Sequence, residues 1–176
     1  MRQIVINENN LSDEDIELNV IRVKALIINS QGKILLAHNN NTFQFPGGHV
    51  EENESMDKCI EREVKEETGI NVYVKEKPFL SITTYDDNYF NTNKKVKNSI
   101  YYYRFFTDKT PNFEETHYDE LELETEFNLF YVNFKDLDKF LTEKIQEETI
   151  DKKIGIEMLY VVEEYNKLFG GIEWKY

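Results

Sequence analysis

Two apolar segments on either side of a short turn, followed soon afterwards by a proline, restrict the fold of this chain most strongly. Residues 19–28 and 33–37 are rich in Val, Ile and Leu, and residues 30–32, Ser-Gln-Gly, have the composition of a turn. This pattern predicts a β-hairpin. A further short strand is predicted over residues 43–45, and it ends at Pro46 because proline fixes φ and has no backbone N–H.

A helix is predicted shortly after this strand, over residues 55–68. Asn53 or Ser55 is suited to cap its first turn, because the side chains of these residues accept hydrogen bonds from backbone N–H groups. Gly69 is suited to end it, since glycine readily adopts the left-handed conformation of a helix C-terminus. Residues 70–74 are predicted to begin the next strand.

The rest of the chain predicts a mixture of strands and helices. The last helix, over about residues 148–169, is the clearest, because its apolar residues follow a helical period up to Gly170. The other predicted elements are strands over residues 79–85, 99–107 and 128–132 and a short helix over residues 135–141. This order predicts a single α/β domain over residues 1–176, with helices available to cover both faces of a sheet.

The charge of the chain restricts its partners. Its 34 acidic and 21 basic residues give a formal net charge of −13, which argues against a protein that coats nucleic acid.

Cys59 is the only cysteine, so an internal disulfide is excluded, and we expect it to be a small packing residue. No apolar run approaches the roughly 18 residues needed to cross a bilayer, and residues 1–18 are mostly polar. We therefore expect a cytoplasmic protein that is not anchored in a membrane.

Three glutamates of the predicted helix share one face. Glu63, Glu66 and Glu67 lie three and four residues apart, which are the spacings of neighbours on a helix surface. Their carboxylates repel one another unless a cation lies among them, and hard oxygen ligands suit Mg²⁺, Mn²⁺ or Ca²⁺. The alternative is an acidic helix face in water, which is the usual role of a charge run. The helix by itself leaves both interpretations open.

The residues around these glutamates form a longer pattern. Its fixed positions are Gly48, Glu54, Arg62, Glu63, Val64, Glu66, Glu67, Gly69 and Ile70. Five residues separate Gly48 from Glu54, and seven separate Glu54 from Arg62. The pattern over residues 48–70 resembles the Nudix box of the Nudix hydrolases at every defining position, and the resemblance extends upstream over residues 43–47. Many members of that family have tryptophan where this chain has Phe43.

The resemblance implies a fold and a reaction. The family's fold is an α/β/α sandwich around a mixed β-sheet, and its members hydrolyse a pyrophosphate bond in a nucleoside diphosphate-linked substrate with the help of divalent cations. Carried over to this chain, Glu63, Glu66 and Glu67 resemble the metal-binding glutamates, and the carbonyl of Gly47 resembles an additional ligand. Mg²⁺ is the implied cofactor, with Mn²⁺ as the alternative.

The same resemblance implies roles for other box residues. Arg62 resembles the arginine that orients the neighbouring carboxylates, and Glu54 resembles its partner. Gly47 and Gly48 are expected to let the backbone approach both metal and substrate phosphate, because glycine has no side chain. His49, in the same loop, is expected to be exposed to water.

Substrate choice is expected to depend on residues outside the box. Lys94 and Lys95, in a loop between two predicted strands, and Arg104, in the second strand, are candidate contacts for a substrate phosphate. An acidic segment over residues 114–126 offers carboxylates for a catalytic base, without indicating which of them faces the site. The substrate stays open among nucleoside di- and triphosphates, nucleoside diphosphate sugars and dinucleoside polyphosphates.

Two other functions are consistent with the sequence. A nucleotide-sensing regulatory module would bind its ligand without turnover, although such a module is expected to lose metal-binding glutamates that this chain contains. An RNA 5′-pyrophosphohydrolase would use the same chemistry on nucleic acid, and the net charge argues only weakly against it. The resemblance also leaves a homodimer open, although the helix over residues 150–169 is expected to pack within its own chain.

Overall fold

The fold consists of seven strands and three helices within residues 1–39, 42–89, 92–117 and 127–172, which are the residues that the computed structural model describes. The strands are β1 (Arg2–Ile6), β2 (Leu18–Ile28), β3 (Lys33–Asn39), β4 (Thr42–Gln44), β5 (Leu80–Asp86), β6 (Val96–Phe106) and β7 (Asn128–Asn133). The helices are α1 (Met56–Thr68), α2 (Phe134–Gln146) and α3 (Lys152–Phe169), and 3-10 turns occupy Asp13–Asp15 and Phe113–Glu115.

The strands form one mixed sheet. Their order is β1-β5-β6-β2-β3-β4 within the described part of the chain, and β7 pairs with β3. The long strands β2 and β6 run parallel, from Leu18 opposite Val96 to Ile28 opposite Phe106. β1 is parallel to β5, whereas β5 is antiparallel to β6 and β3 is antiparallel to β2, β4 and β7.

Helices cover both faces of this sheet. On one face, Ile60 and Val64 of α1 belong to the same buried cluster as Ala25 of β2. On the other face, α2 and α3 pack on the sheet, with Leu141 of α2 in the same cluster as Leu26. Neighbouring residues of β2 serve opposite faces because successive side chains of a strand alternate. The predicted α/β/α sandwich with a mixed sheet is therefore confirmed.

Both ends of α1 are fixed by local interactions. The hydroxyl of Ser55 accepts a hydrogen bond from the backbone N–H of Lys58 at 3.3 Å, so Ser55 rather than Asn53 is the N-cap. Gly69 has a φ of 70°, and its N–H donates to the carbonyl of Lys65 at 2.8 Å. A side chain on Gly69 would collide with the carbonyl of Asn112. The predicted helix and its glycine end are confirmed.

Most of the other predicted elements are confirmed with altered bounds. The hairpin consists of β2 and β3, and α3 begins at Lys152 because Asp151 caps it, with its carboxylate accepting from two backbone N–H groups. α2 continues past the predicted residues 135–141 to Gln146, since Ile145 also packs against the core. α3 packs within the chain as expected.

Two sequence-based expectations are wrong. Residues 70–74 form no strand, because Ile70 and Val72 pack into the cluster beneath α1 while their backbone lies outside the sheet. β1 was not expected in the polar residues 1–18. It is an edge strand with Val5 exposed, so its sequence lacks a strong apolar pattern, and it is held by its pairing with β5.

Candidate active site

The loop that contains Pro46, Gly47 and Gly48, here called the glycine loop, precedes α1 and runs alongside β2. The N–H of Val23 donates to the carbonyl of Gly48 at 3.0 Å, and the N–H of Ala25 donates to the carbonyl of Pro46 at 2.8 Å. Gly47 is buried, with a φ of 136°, and a Cβ on it would collide with the carbonyl of Val23. Only glycine allows the loop to lie this close to the strand.

Two of the three helix glutamates are held against this loop. Glu67 is only 4% exposed, and its carboxylate accepts a hydrogen bond from the backbone N–H of Gly47 at 2.9 Å. The Glu63 carboxylate lies so close to Gly48 that an added Cβ would be 2.5 Å from it. Burial raises the pKa of Glu63, and the charge of Arg62 opposes this effect. The loop and α1 therefore hold the Glu63 and Glu67 carboxylates against the backbone of Gly47 and Gly48.

Arg62 binds three carboxylates at once. It donates to Glu54 at 2.8 and 2.9 Å, to Glu63 at 2.8 Å and to Glu66 at 2.9 Å. These bonds from Arg62 lower the pKa of Glu54 to about 2. Bonding to Glu54, more than any other effect, raises the pKa of Arg62 itself. The structure thus brings Arg62, Glu54, Glu63 and Glu66 together, whereas Glu67 is held separately by the Gly47 amide.

The donor set suits a hard divalent cation, although the carboxylates do not converge on one point. Among the residues that the structure describes, no three His, Cys, Asp or Glu side chains are grouped closely enough to hold a metal. Arg62 holds Glu63 and Glu66, and the Gly47 amide holds Glu67. The Glu63 carboxylate is packed against Gly48, in the position that a Cβ on this residue would need. Oxygen ligands of this kind are those that Mg²⁺ and Mn²⁺ prefer.

A buried lysine also contacts the loop. Lys24 of β2 is 7% exposed, and its ammonium donates to the Gly47 carbonyl at 3.2 Å and to the Gln44 side chain at 2.8 Å. Burial lowers the pKa of Lys24, while the charges of Glu67 and Glu157 act in the opposite direction. Sequence reasoning missed Lys24. The available signal was a basic residue two positions after Arg22 in a strand of mostly apolar residues.

Glu157 of α3 forms a second buried polar contact on this side of the sheet. Its carboxylate accepts a hydrogen bond from the hydroxyl of Tyr102, which is fully buried on β6. Burial raises the pKa of Glu157, and the bond from Tyr102 and the charge of Lys24 oppose this effect. Sequence periodicity could not find Glu157, because a single glutamate in an amphipathic helix usually faces water.

Two of the three predicted phosphate contacts have other partners in this structure. Arg104 donates to Glu76 at 2.8 Å, and its guanidinium lies 3.9 Å from the ring centroid of Phe169 at the end of α3. Lys95 lies 3.6 Å from Asp15, and Lys94 is exposed. These placements connect Arg104 and Lys95 to segments other than the box.

The start of the predicted acidic segment lies beside α1. The N–H of His117 donates to the carbonyl of Glu66 at 2.9 Å, and Glu115 forms an ion pair with Lys65. Residues 118–126, which include most of the candidate catalytic bases, lie outside the described residues. Cys59 is a packing residue as expected, since it is buried and burial raises the pKa of its thiol to about 12.

The fold and the site together define a class of protein, an α/β/α sandwich in which a glycine loop and a carboxylate-rich helix follow a strand of a mixed sheet. The sequence matches the NUDIX domain family over residues 18–153, so the chain belongs to the NUDIX family. It is a hydrolase, and its family acts on pyrophosphate bonds of nucleoside diphosphate derivatives and generally uses divalent cations. The substrates of such enzymes are small and nucleotide-like.

Solved structures share this fold. The MutT protein from Methanosarcina mazei Go1 is 22% identical with a TM-score of 0.56, and the match covers 89% of this chain and 99% of that one. A mutator MutT protein from Bacillus halodurans is 18% identical with a TM-score of 0.50, covering 68% of this chain and 72% of that one. Identities this low support the fold alone. No helix within the described residues is long and apolar enough to cross a membrane.

Proposed function

We propose that this chain, as a single domain over residues 1–176, hydrolyses a phosphoanhydride bond in a small nucleotide in a reaction that requires Mg²⁺ or Mn²⁺. Nucleoside di- and triphosphates, nucleoside diphosphate sugars and dinucleoside polyphosphates are the candidate substrates. The observation that carries the proposal is the contact between the loop and the helix, in which buried Glu67 binds the amide of Gly47 and Glu63 lies against Gly48. Two carboxylates of α1 are thereby held against the glycine loop.

The residues that would hold the cation are Glu63, Glu66, Glu67 and the carbonyl of Gly47. A bound divalent cation polarises phosphoryl oxygens, lowers the pKa of a water ligand and neutralises charge on the leaving phosphate. Arg62 and Glu54 hold the carboxylates in place, because Arg62 bonds to Glu63 and Glu66 and is itself held by Glu54. Coordination by all three glutamates requires their side chains to turn from the hydrogen bonds they make here.

The backbone around Gly47 and Gly48 is expected to face the substrate phosphates. Neither residue has a side chain that would separate the phosphoryl group from the backbone or from Glu63. Fixed positions for the carboxylates matter, because hydrolysis of a phosphoanhydride requires in-line attack by water and depends mainly on positioning and charge.

The test is phosphate release from a panel of the three substrate classes with Mg²⁺ or Mn²⁺. Wild type, Glu67→Gln and Glu143→Gln are compared, and Glu143 is the matched control because it is a half-exposed glutamate on α2 whose carboxylate pairs with Lys139. We expect metal-dependent turnover in wild type and the control, and a loss of at least about 100-fold in Glu67→Gln. Equal turnover in Glu67→Gln would contradict the proposal.

The alternative functions predict different results. A nucleotide-sensing module would bind Mn²⁺ and nucleotide, measured by electron paramagnetic resonance and calorimetry, without turnover on any panel member. An RNA 5′-pyrophosphohydrolase would act faster on triphosphorylated RNA than on free nucleotides, and its activity would fall as salt is raised.

A further inference from the structure

β2 carries two basic residues beside the glycine loop. Arg22 and Lys24 are two positions apart, so their side chains leave the same face of the strand, opposite to the face that packs under α1. β2 is bonded to the loop along this stretch, because the N–H of Val50 donates to the carbonyl of Ile21 and the N–H of Val23 donates to that of Gly48. The chain thus places two cations next to Gly47 and Gly48.

Lys24 is already satisfied by the protein. Its ammonium is buried and donates to Gly47 and Gln44, and the carboxylates of Glu67 and Glu157 provide compensating charge. A ligand would reach it only by displacing these contacts. Lys24 therefore supports the loop from within.

Arg22 is in a different situation. It is half-buried, and its guanidinium donates to the ring nitrogen Nε2 of His49 at 2.9 Å and to the hydroxyl of Tyr89 at 2.9 Å, neither of which is a carboxylate. Within the described residues, Arg22 forms no salt bridge, and its second terminal nitrogen, Nη1, donates to no protein acceptor.

Within the described part of the chain, the lack of a salt bridge distinguishes Arg22 from the other basic residues considered above. The protein has 34 acidic and 21 basic residues, and Arg62, Arg104 and Lys95 all lie within salt-bridge distance of carboxylates. The guanidinium of Arg22 is hydrogen-bonded to His49 and Tyr89 rather than to a carboxylate, and the charge of Glu157 acts on it without a direct ion pair. Its planar set of N–H donors matches two oxygens of a phosphate group.

From these observations we infer that Arg22 binds a phosphate of the substrate next to the glycine loop, with His49 and Tyr89 holding its guanidinium in place. This inference rests on the proposed function and deepens it, because it assigns a binding residue for the polyphosphate chain. The predicted contacts Lys95 and Arg104 are less suited to this role, since both already pair with carboxylates. A contact to a phosphate that does not react stabilises substrate and transition state equally, so its loss raises KM and leaves kcat nearly unchanged.

The test compares Arg22→Met and Arg22→Lys with wild type on the best substrate of the panel. Arg22→Met should raise KM about ten- to hundredfold, the effect of losing a charge-assisted hydrogen bond, while kcat changes by less than about threefold. Arg22→Lys should recover part of the loss because it keeps the charge without the paired donors. Lys139→Met is the control, since Lys139 is 78% exposed on α2, and it should match wild type.

A binding measurement separates this inference from the proposed function. The probe is α,β-methylene-ADP with Mg²⁺, in which a carbon bridge replaces the anhydride oxygen, and its affinity is measured by calorimetry. Weaker binding to Arg22→Met, with Mn²⁺ affinity and melting temperature unchanged, supports the inference even if wild type hydrolyses nothing in the panel. Unchanged KM and unchanged probe binding in Arg22→Met would overturn it, and so would a wild type that does not bind the probe.

Discussion

Replacing Arg62 with methionine tests whether one cation organises the box carboxylates. Methionine retains much of the aliphatic length and removes every hydrogen bond to Glu54, Glu63 and Glu66. The three carboxylates would then lie close together without the charge that offsets their repulsion. We expect the folded state to lose stability and the glutamates to lose their fixed positions.

The magnitude follows from the burial of the network. An exposed ion pair contributes up to about 1 kcal/mol, and removing one partner of a buried pair costs about 3–5 kcal/mol. Arg62 lies between these limits, because its side chain is 27% exposed while those of Glu54 and Glu63 are 15% and 14% exposed. We therefore expect Arg62→Met to lower the free energy of unfolding by about 2–3 kcal/mol, and the melting temperature by roughly 4–12 °C.

The assay is urea denaturation followed by circular dichroism, in EDTA and again in Mg²⁺. Lys58→Met is the control on the same helix, since the Lys58 side chain is 75% exposed and its pair with Glu61 should contribute less than about 1 kcal/mol. Mg²⁺ should stabilise Arg62→Met more than wild type, because a cation among the glutamates replaces the lost charge. A variant within about 0.5 kcal/mol of wild type in EDTA would refute the reasoning.

Three further changes test the site and the core. Gly48→Ala should reduce kcat/KM by at least about 100-fold in steady-state kinetics, because its Cβ would lie 2.5 Å from the Glu63 carboxylate and displace it. The pKa of Glu54 is lowered from 4.5 to about 2 by Arg62, so its ionised form stabilises the fold above pH 4.5, and this contribution is lost as the pH falls towards 2. The difference in unfolding free energy between wild type and Glu54→Gln should therefore shrink between about pH 5 and about pH 3 in urea titrations; a constant difference would contradict the assignment. Leu141→Ala, at a fully buried position, should lower the free energy of unfolding by about 2–5 kcal/mol while leaving kcat within about threefold at 20 °C, measured by urea denaturation and kinetics.

Local sequence was sufficient to predict helix α1, its two ends and the face that its glutamates share. Ser55 and Gly69 end the helix through bonds within a few residues of themselves, and the face shared by Glu63, Glu66 and Glu67 follows from helical geometry. The hairpin of β2 and β3 is also local, because two apolar runs flank a short turn. These features need no knowledge of the rest of the chain.

Pairing between segments that are distant in sequence decided which other residues became strands of the sheet. β1 has a weak apolar pattern and becomes a strand because β5 lies beside it, whereas residues 70–74 have the composition of a strand and find no place in the sheet. Burial beneath α1 stabilises the Ile70 and Val72 side chains more than a place in the sheet would. Propensity is a small effect, and tertiary packing overrides it.

The contacts that surround residues 48–70 likewise depend on the tertiary structure. The sequence shows that Glu63, Glu66 and Glu67 share a face, but it does not show that Glu67 is buried against Gly47. Nor does it show that Arg22 stands beside the glycine loop, because the two are brought together by backbone bonds between β2 and the loop rather than by any local pattern. Residue spacing along a helix determines which groups are neighbours on it, whereas contacts across strands depend on how the whole sheet assembles.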